Sequence, residues 1–169
     1  MQSSDALVTA IVAVGMGAAA VIDLRTRRIP NILTATMAAV GIGLAAAGLG
    51  RIGLGAALLG CALGLAFMLP GHIFGATGAG DVKLLAAVGT LLGPIGVAVA
   101  FMYTAILGGV LAVAVAVHRG RLQDTLQETA TLVVTGGANV GTIEKPSANN
   151  RFAYAPAIAL GSLAAALGF

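Results

Sequence analysis

The sequence predicts an all-α fold, a polytopic bundle of about six transmembrane helices in a single domain over residues 1–169. Three observations support this prediction. Of the 169 residues, 59% are hydrophobic and only 9% are charged, whereas soluble domains are about a quarter charged. Several apolar runs approach the roughly 20 residues that a helix needs to cross a bilayer. The chain also has 25 glycines, and small residues let helices approach closely in lipid.

The first three predicted spans follow one another closely. We expect them over residues 6–22, 32–49 and 52–69, with Gly50 and Arg51 as the tight link between the second and the third. The first run resembles a signal peptide in its apolar stretch and its small-residue end. It lacks the basic residues that a signal peptide carries before that stretch. We therefore interpret it as a mature first span.

A longer apolar run covers residues 82–117. As one helix it would be roughly 50 Å long, which is too long for a single span. The sequence GPIG lies inside it at residues 93–96, and glycine and proline break helices. We therefore predict a short fourth span before this point and a longer fifth span after it. The sixth span is expected over residues 154–167.

A polar stretch over residues 118–151 separates the fifth and sixth spans. In its first half, apolar residues recur on one helical face while polar residues fill the opposite face. This pattern predicts an amphipathic helix on the membrane surface. The second half is rich in residues that favour turns and predicts a flexible loop. We expect the whole stretch to be cytoplasmic.

The distribution of basic residues predicts the orientation. With six spans, eight of the nine basic residues fall on one side of the membrane and only Arg51 falls on the other. Because Lys and Arg concentrate on the cytoplasmic side, the crowded side is cytoplasmic and both termini are outside. The crowded side holds Arg25, Arg27, Arg28, Lys83, Arg119, Arg121, Lys145 and Arg151.

Several classes of function are poorly supported. The net charge of +3 does not indicate nucleic-acid binding, because the basic residues lie between apolar spans, where they set topology. Cys61 is the one cysteine, so the chain forms no intrachain disulfide and no zinc cluster. The sequence has neither a Ser/His/Asp pattern nor a His-Glu-x-x-His pattern, which disfavours serine and zinc proteases.

Two of the six carboxylates lie at span ends. Asp23 ends the first span and Asp81 begins the fourth, and the predicted topology places both at the cytoplasmic face. Two close, partly desolvated carboxylates share a proton. One can then activate water while the other protonates a peptide carbonyl, as in aspartic proteases. Structural roles are also open, because Asp23 could pair with Arg27 four residues on and Asp81 could cap the fourth helix.

Residues near the two aspartates are candidates for substrate binding. Gly78 and Gly80 precede Asp81 in the sequence GAGD. Glycine there permits unusual backbone angles and lets an extended peptide approach closely, although an ordinary glycine-rich turn has the same pattern. Lys83 and Asn31 are the other two candidates. Alternatively, Lys83 meets lipid headgroups, and Pro30 and Asn31 end one helical region and cap the next.

Three segments in this order resemble the type IV prepilin peptidases, which are membrane aspartic proteases with a GxGD motif. They are DLRTRRIPN at residues 23–31, GAGDVKLLAAVG at 78–89 and RFAYAPAIALG at 151–161. The resemblance implies that Asp23 and Asp81 are the catalytic pair and that no metal or other cofactor takes part. It implies a prepilin or pseudopilin substrate with a basic leader, a glycine before the cut and an apolar helix after it. It also implies location in the bacterial inner membrane.

The chain differs from larger members of that family, which carry a cytoplasmic domain with paired cysteines linked to methylation of the new N-terminus. No Cys-x-x-Cys pair is present, and the compact form resembles the peptidases of Flp-type, tight-adherence pili. We therefore expect cleavage without N-methyltransferase activity. Two alternatives are a small ion- or proton-coupled transporter, since paired aspartates can relay protons, and a non-catalytic factor of pilus assembly.

Overall fold

A computed structural model describes residues 3–73, 77–118 and 154–168. Most of these residues are helical and none of them lies in a strand, which confirms the predicted all-α fold. The amphipathic helix and flexible loop predicted after His118 lie outside the described residues. The described helices are α1 (Ser3–Thr26), α2 (Asn31–Ala46), α3 (Leu54–Ile73), α4 (Ala79–His118) and α5 (Ala155–Leu167).

Three of the described helices, α1, α3 and α4, are long and apolar enough to cross a membrane. Helices α2 and α5 are also apolar, but they have only 16 and 13 residues. The helices coincide closely with the apolar runs of the sequence. The count of six spans is nevertheless not confirmed, because only three of the described helices are both long enough and apolar enough to cross a membrane.

Helix α4 is broken at Gly93, where the GPIG sequence predicts a break. Gly93 has φ 74° and ψ −173°, a conformation that side chains with a Cβ rarely adopt. Tyr154 packs against Gly108 and also lies within reach of the charge of Asp81. A straight helix would hold residues 81 and 108 about 40 Å apart. The chain therefore folds back at Gly93, and α4 consists of two antiparallel segments, 79–92 and 94–118.

The folded-back α4 is the central element of the bundle. It packs mainly against α3 and α5, and less against α2, while α1 packs mainly against α5. Helix α2 is peripheral, because its contacts with α1 and α3 are slight. The largest fully buried apolar side chains are Val8, Val12, Met16, Leu84, Leu85, Val88, Leu91, Val97 and Ile158.

Glycines set the distance between α3 and α4. Gly60 and Gly89 face each other so closely that a Cβ on either residue would overlap the backbone of the other. One turn along α3, a Cβ on Gly64 would lie 2.6 Å from the carbonyl oxygen of Leu85. The four-residue spacing of Gly60 and Gly64 is the pattern with which helices approach each other closely in lipid.

A polar network joins three segments at one end of the bundle. Arg51, between α2 and α3, forms an ion pair with Asp5, with Nε donating to Oδ1 at 3.0 Å. Its Nη2 donates to Thr9 Oγ1 at 3.2 Å and to the carbonyl of Ala166 at 2.9 Å. Asp5 and Asp23 are separated by about 27 Å along α1. Arg51 therefore lies at the end opposite Asp23.

The close contact between α3 and α4 predicts that Gly60→Ala lowers the free energy of unfolding in detergent by about 1–3 kcal/mol, because an extra methyl group overpacks the interface. The measurement is thermal or denaturant unfolding followed by circular dichroism. Gly55→Ala, on the same helix, is the matched control, since its Cβ meets no atom within 4 Å. Equal stability of the two variants would contradict the proposed backbone contact.

Candidate active site

Asp23 and Asp81 line one open pocket of about 260 Å³ at the end of the bundle opposite Arg51. Both side chains are mostly buried, with exposed fractions of 6% and 8%. The two carboxylates are close enough for the charge of Asp23 to act on Asp81. The remaining lining residues are Arg27, Arg28, Ile29, Asn31, Gly78, Ala79, Gly80 and Lys83.

Asp81 is held by the first turn of α4. Its Oδ2 accepts a hydrogen bond from the Gly78 N–H at 3.0 Å, while the Gly78 carbonyl accepts from the Asp81 N–H, also at 3.0 Å. Gly78 is therefore the N-cap residue, and the side chain of Asp81 reaches back to it as in a capping box. The alternative structural role of Asp81 is therefore present in part, because its side chain helps to cap α4, although Asp81 is the third residue of the helix and Gly78 holds the N-cap position. A negative charge is favourable there.

Asp23 is held by the N-terminus of α5. Its Oδ2 accepts a hydrogen bond at 3.2 Å from the N–H of Ala155, the first residue of that helix. The first N–H groups of a helix have no partner within the helix, so the carboxylate satisfies one of them. The contact joins residues that are 132 positions apart in the sequence.

The chain leaves α1 through an unusual turn just after Asp23. The Arg27 N–H donates to the carbonyl oxygen of Asp23 at 2.7 Å, and Arg27 has φ 52°. This is the left-handed conformation that often ends helices, although glycine usually occupies it. In a residue with a Cβ it costs about 1–2 kcal/mol. The turn carries Arg27, Arg28 and Ile29 into the wall of the pocket.

Each catalytic candidate keeps one carboxylate oxygen available for a ligand. Oδ2 of Asp81 is bonded to Gly78, and Oδ2 of Asp23 is bonded to Ala155. Within the part of the chain that the structure describes, neither Oδ1 atom makes a hydrogen bond. The two fixed bonds restrict how the carboxylates can turn, and the two remaining oxygens can bind water or a carbonyl group.

Gly78 and Gly80 both line the pocket. Neither has a positive φ, unlike Gly93, so neither uses the left-handed conformation that glycine permits. The absence of a side chain matters through contacts within the chain. A Cβ on Gly80 would lie 3.0 Å from Ile29, and one on Gly78 would lie 3.2 Å from Asp81 Oδ2. Gly80 thus lets the segment after α1 lie close to α4.

Asn31 and Lys83 bind each other at the edge of the pocket. Lys83 Nζ donates to Asn31 Oδ1 at 2.9 Å, and both side chains are exposed. Of the two residues expected to cap α2, Pro30 is the N-cap residue, whereas Asn31 is the first residue of the helix and its side chain caps nothing. The side chain of Asn31 instead accepts the hydrogen bond from Lys83.

The structure adds Tyr154, which sequence reasoning did not place among the site residues. Tyr154 is half-buried, and a Cβ on Gly108 would lie 2.5 Å from its hydroxyl oxygen. Tyr154 also lies within reach of the charge of Asp81. In the sequence, the tyrosine and proline on either side of Ala155 mark the start of the last helix. Only the folded chain shows that this start lies beside Asp23.

Arg27 and Arg28 are also additions to the site. Their position just after the first span predicted only a role in membrane topology. In the structure both line the pocket of the two aspartates, together with Lys83. Three cationic residues therefore share a pocket with two carboxylates, and their positive charge offsets part of the negative charge there.

Comparison with known families decides the broad identity. Residues 10–113 match the type IV leader peptidase family. The chain belongs to the type IV leader peptidase family. The match covers more than half of the chain and includes Asp23 and Asp81, whereas Tyr154 lies outside it. No curated protein and no solved structure matched this leader peptidase. Its family implies a protease with a prepilin-type substrate, and its apolar helices fit a multi-pass membrane protein.

The contact of Tyr154 with Gly108 predicts that Gly108→Ala lowers the rate of leader cleavage by about tenfold, since small displacements at an active site are costly. The added methyl group displaces the tyrosine ring and, with it, the start of α5 that binds Asp23. The rate is measured on purified enzyme and a prepilin. Gly109→Ala is the control, because its Cβ meets nothing within 4 Å. Equal rates for the two variants would show that Tyr154 does not position Asp23.

Proposed function

We propose that this leader peptidase is an aspartic endopeptidase that uses Asp23 and Asp81 as its catalytic pair. It removes the leader of prepilins or pseudopilins, such as those of Flp-type pili, by cutting after a glycine. One observation carries the proposal: two mostly buried carboxylates, one from α1 and one from α4, line the same pocket. Burying two carboxylates together is costly, and acid–base catalysis gives a reason to do so.

The proposed chemistry needs one proton shared by the pair, because two close carboxylates do not both ionise easily. The ionised carboxylate takes a proton from a water molecule, and the oxygen of that water attacks the carbonyl carbon of the glycine. The protonated carboxylate gives its proton to the carbonyl oxygen. The carboxyl group that took the proton from water then gives it to the nitrogen of the leaving amine, while the other carboxylate takes a proton from a hydroxyl group of the tetrahedral intermediate. The intermediate collapses with cleavage of the C–N bond, and the pair again shares one proton.

The lining of the pocket supports an extended substrate at the point of cleavage. Six of its ten lining residues are charged or carry an amide, namely Asp23, Arg27, Arg28, Asn31, Asp81 and Lys83. An extended peptide exposes backbone groups that need partners. Asn31 and Lys83, at the edge of the pocket, are proposed to supply some of them. Gly78 and Gly80 keep the floor of the pocket free of side chains.

The three cationic residues are proposed to act on the negative charge of the reaction. Arg27 and Arg28 would repel a basic leader at short range, which disfavours a role in binding it directly. Positive charge near the pair stabilises the ionised carboxylate and the negative charge that develops on the carbonyl oxygen. Lys83 also lines the pocket. It is proposed to contribute to stabilising the ionised carboxylate and the negative charge on the carbonyl oxygen.

The distribution of charge supports cleavage at the cytoplasmic face of the inner membrane. The basic residues Arg27, Arg28 and Lys83 line the pocket, and Arg51 lies at the other end of the bundle. Because cytoplasmic loops are enriched in Lys and Arg, the end with the aspartates is proposed to be cytoplasmic. Residues 1–169 are proposed to form one peptidase domain that cleaves the leader without methylating the new N-terminus.

The catalytic pair predicts that Asp23→Asn and Asp81→Asn each lower the rate of leader removal by about a hundredfold or more, the usual contribution of acid–base catalysis. The measurement is the mass and N-terminal sequence of a prepilin from the same genome, incubated with purified enzyme in detergent. A peptidase works there without a membrane potential, whereas a transporter depends on one.

Asp5→Asn is the matched control for this experiment, because Asp5 is also on α1 but lies at the opposite end of the bundle. It should retain most of the activity. If cleavage persists in one of the two pocket variants, that aspartate has a structural role. If wild-type enzyme leaves the leader on every prepilin tested, the proposed function is wrong.

A further inference from the structure

A second pocket, which we call the α2–α4 groove, opens beside the candidate active site. It has a volume of about 340 Å³ and lies between the side chains of α2, α3 and α4. Its lining is almost wholly apolar apart from the residues at one end. The residues are Asn31, Thr34, Ala35, Ala38, Cys61, Leu65, Lys83, Ala86 and Ala87.

The α2–α4 groove is continuous with the pocket of the two aspartates. Asn31 and Lys83 line both, and their hydrogen bond of 2.9 Å forms the boundary. A ligand that passes between these two side chains, or displaces their bond, reaches from the groove to the carboxylates. The polar end of the groove therefore meets the active site, and its apolar part leads away from it.

The direction of the groove follows α2. This helix begins at Asn31, beside the active site, and reaches Ala38 about 10 Å further along its axis. Four of the nine lining residues are alanines, namely Ala35, Ala38, Ala86 and Ala87. Small side chains let the backbone of another helix approach closely within a membrane. A shallow, apolar channel of this kind fits one face of a helix.

Two other apolar pockets among the described helices are less suitable. One lies between α1 and α5 and the other between α1 and α2. Neither shares a lining residue with the pocket of the aspartates. On the side of α5, the N–H of Ala155 is bonded to Asp23, so this helix covers the carboxylate there.

We propose that the α2–α4 groove binds the apolar helix that follows the scissile bond of the substrate, an inference that rests on the proposed function. The substrate leaves the active site past Asn31 and Lys83 and becomes helical. One apolar face of its first turns then packs on the alanines of the groove. The peripheral position of α2, with slight contacts to α3, keeps this face open.

Cys61 provides the test, because it lines the groove and is the only cysteine of the chain. Its backbone lies beside Gly89, eight residues beyond Asp81 and hence about 12 Å further along α4. A disulfide forms only when the two Cα atoms come within about 7 Å. Cys61 therefore reports on a substrate helix seated in the groove.

The experiment uses the Asp81→Asn variant, which retains the uncut substrate, with prepilins that each carry one cysteine along the apolar helix. Mild oxidation is followed by non-reducing gel electrophoresis. We expect cross-links to Cys61 at positions about four to eight after the cut, with a spacing of three or four residues. The cross-linked fraction there should exceed that of the opposite helical face by about tenfold, since only one face comes within disulfide distance.

The control moves the cysteine to the groove between α1 and α5. A variant with Cys61→Ala and Leu160→Cys places an exposed thiol there, and it should give only background cross-linking. Cross-links from position 160 and none from Cys61 would overturn the proposal. So would the absence of cross-links at both positions, or cross-links to Cys61 without helical periodicity.

Wild-type enzyme is incubated with the same cysteine-containing prepilins in parallel. If the wild-type enzyme cleaves these prepilins normally but no cross-link to Cys61 forms, only the groove proposal is refuted. The proposed function is then unaffected. If wild-type enzyme cuts none of these prepilins, nor the prepilin without cysteine, the proposed function fails and the groove proposal fails with it.

Discussion

The hydrogen bond between the Ala155 N–H and Asp23 Oδ2 joins the last helix of the bundle to the first at the candidate active site. Each group needs the other. The N–H lies in the first turn of α5 and has no partner within its helix, and a buried carboxylate is costly without a hydrogen bond. The bond therefore closes the bundle and at the same time fixes the side chain that faces Asp81.

The reversal of α4 at Gly93 makes this closure possible. It returns the chain to the level of Asp81, so that Gly108 meets Tyr154 and α5 can start beside Asp23. Helices in lipid gain little from hydrophobic burial against one another, so their association depends on close backbone contact and on polar bonds. Gly60 supplies such a contact between α3 and α4, and Arg51 supplies polar bonds at the far end. Helix α2 packs closely on α4 through Gly41, where a Cβ would overlap Thr90. Its contacts with α1 and α3 are slight, which leaves apolar grooves on its flanks.

Much of this arrangement follows from local patterns, and the exceptions have a common cause. Hydropathy gives the helices, GPIG gives the break at Gly93, and two motifs give Asp23 and Asp81. The side chain of Asn31 does not cap α2, although Pro30 beside it is the N-cap residue, and Gly80 does not have a positive φ. Both residues are explained by partners that are distant in sequence: Lys83 for Asn31, and Ile29 for Gly80. A pattern within a few residues cannot reveal which distant side chain will occupy the space beside it.

The sequence by itself determined the all-α class, the approximate helix limits and the separation of Arg51 from the other basic residues, because hydropathy and helix-breaking residues act locally. It also singled out the two aspartates, since so few carboxylates occur near apolar runs. Only the tertiary structure decided that Ala155 binds Asp23, that Arg27 and Arg28 line the pocket, and that the α2–α4 groove meets it. These features arise where separate helices pack together, and packing depends on the three-dimensional fit of surfaces that lie far apart in the chain.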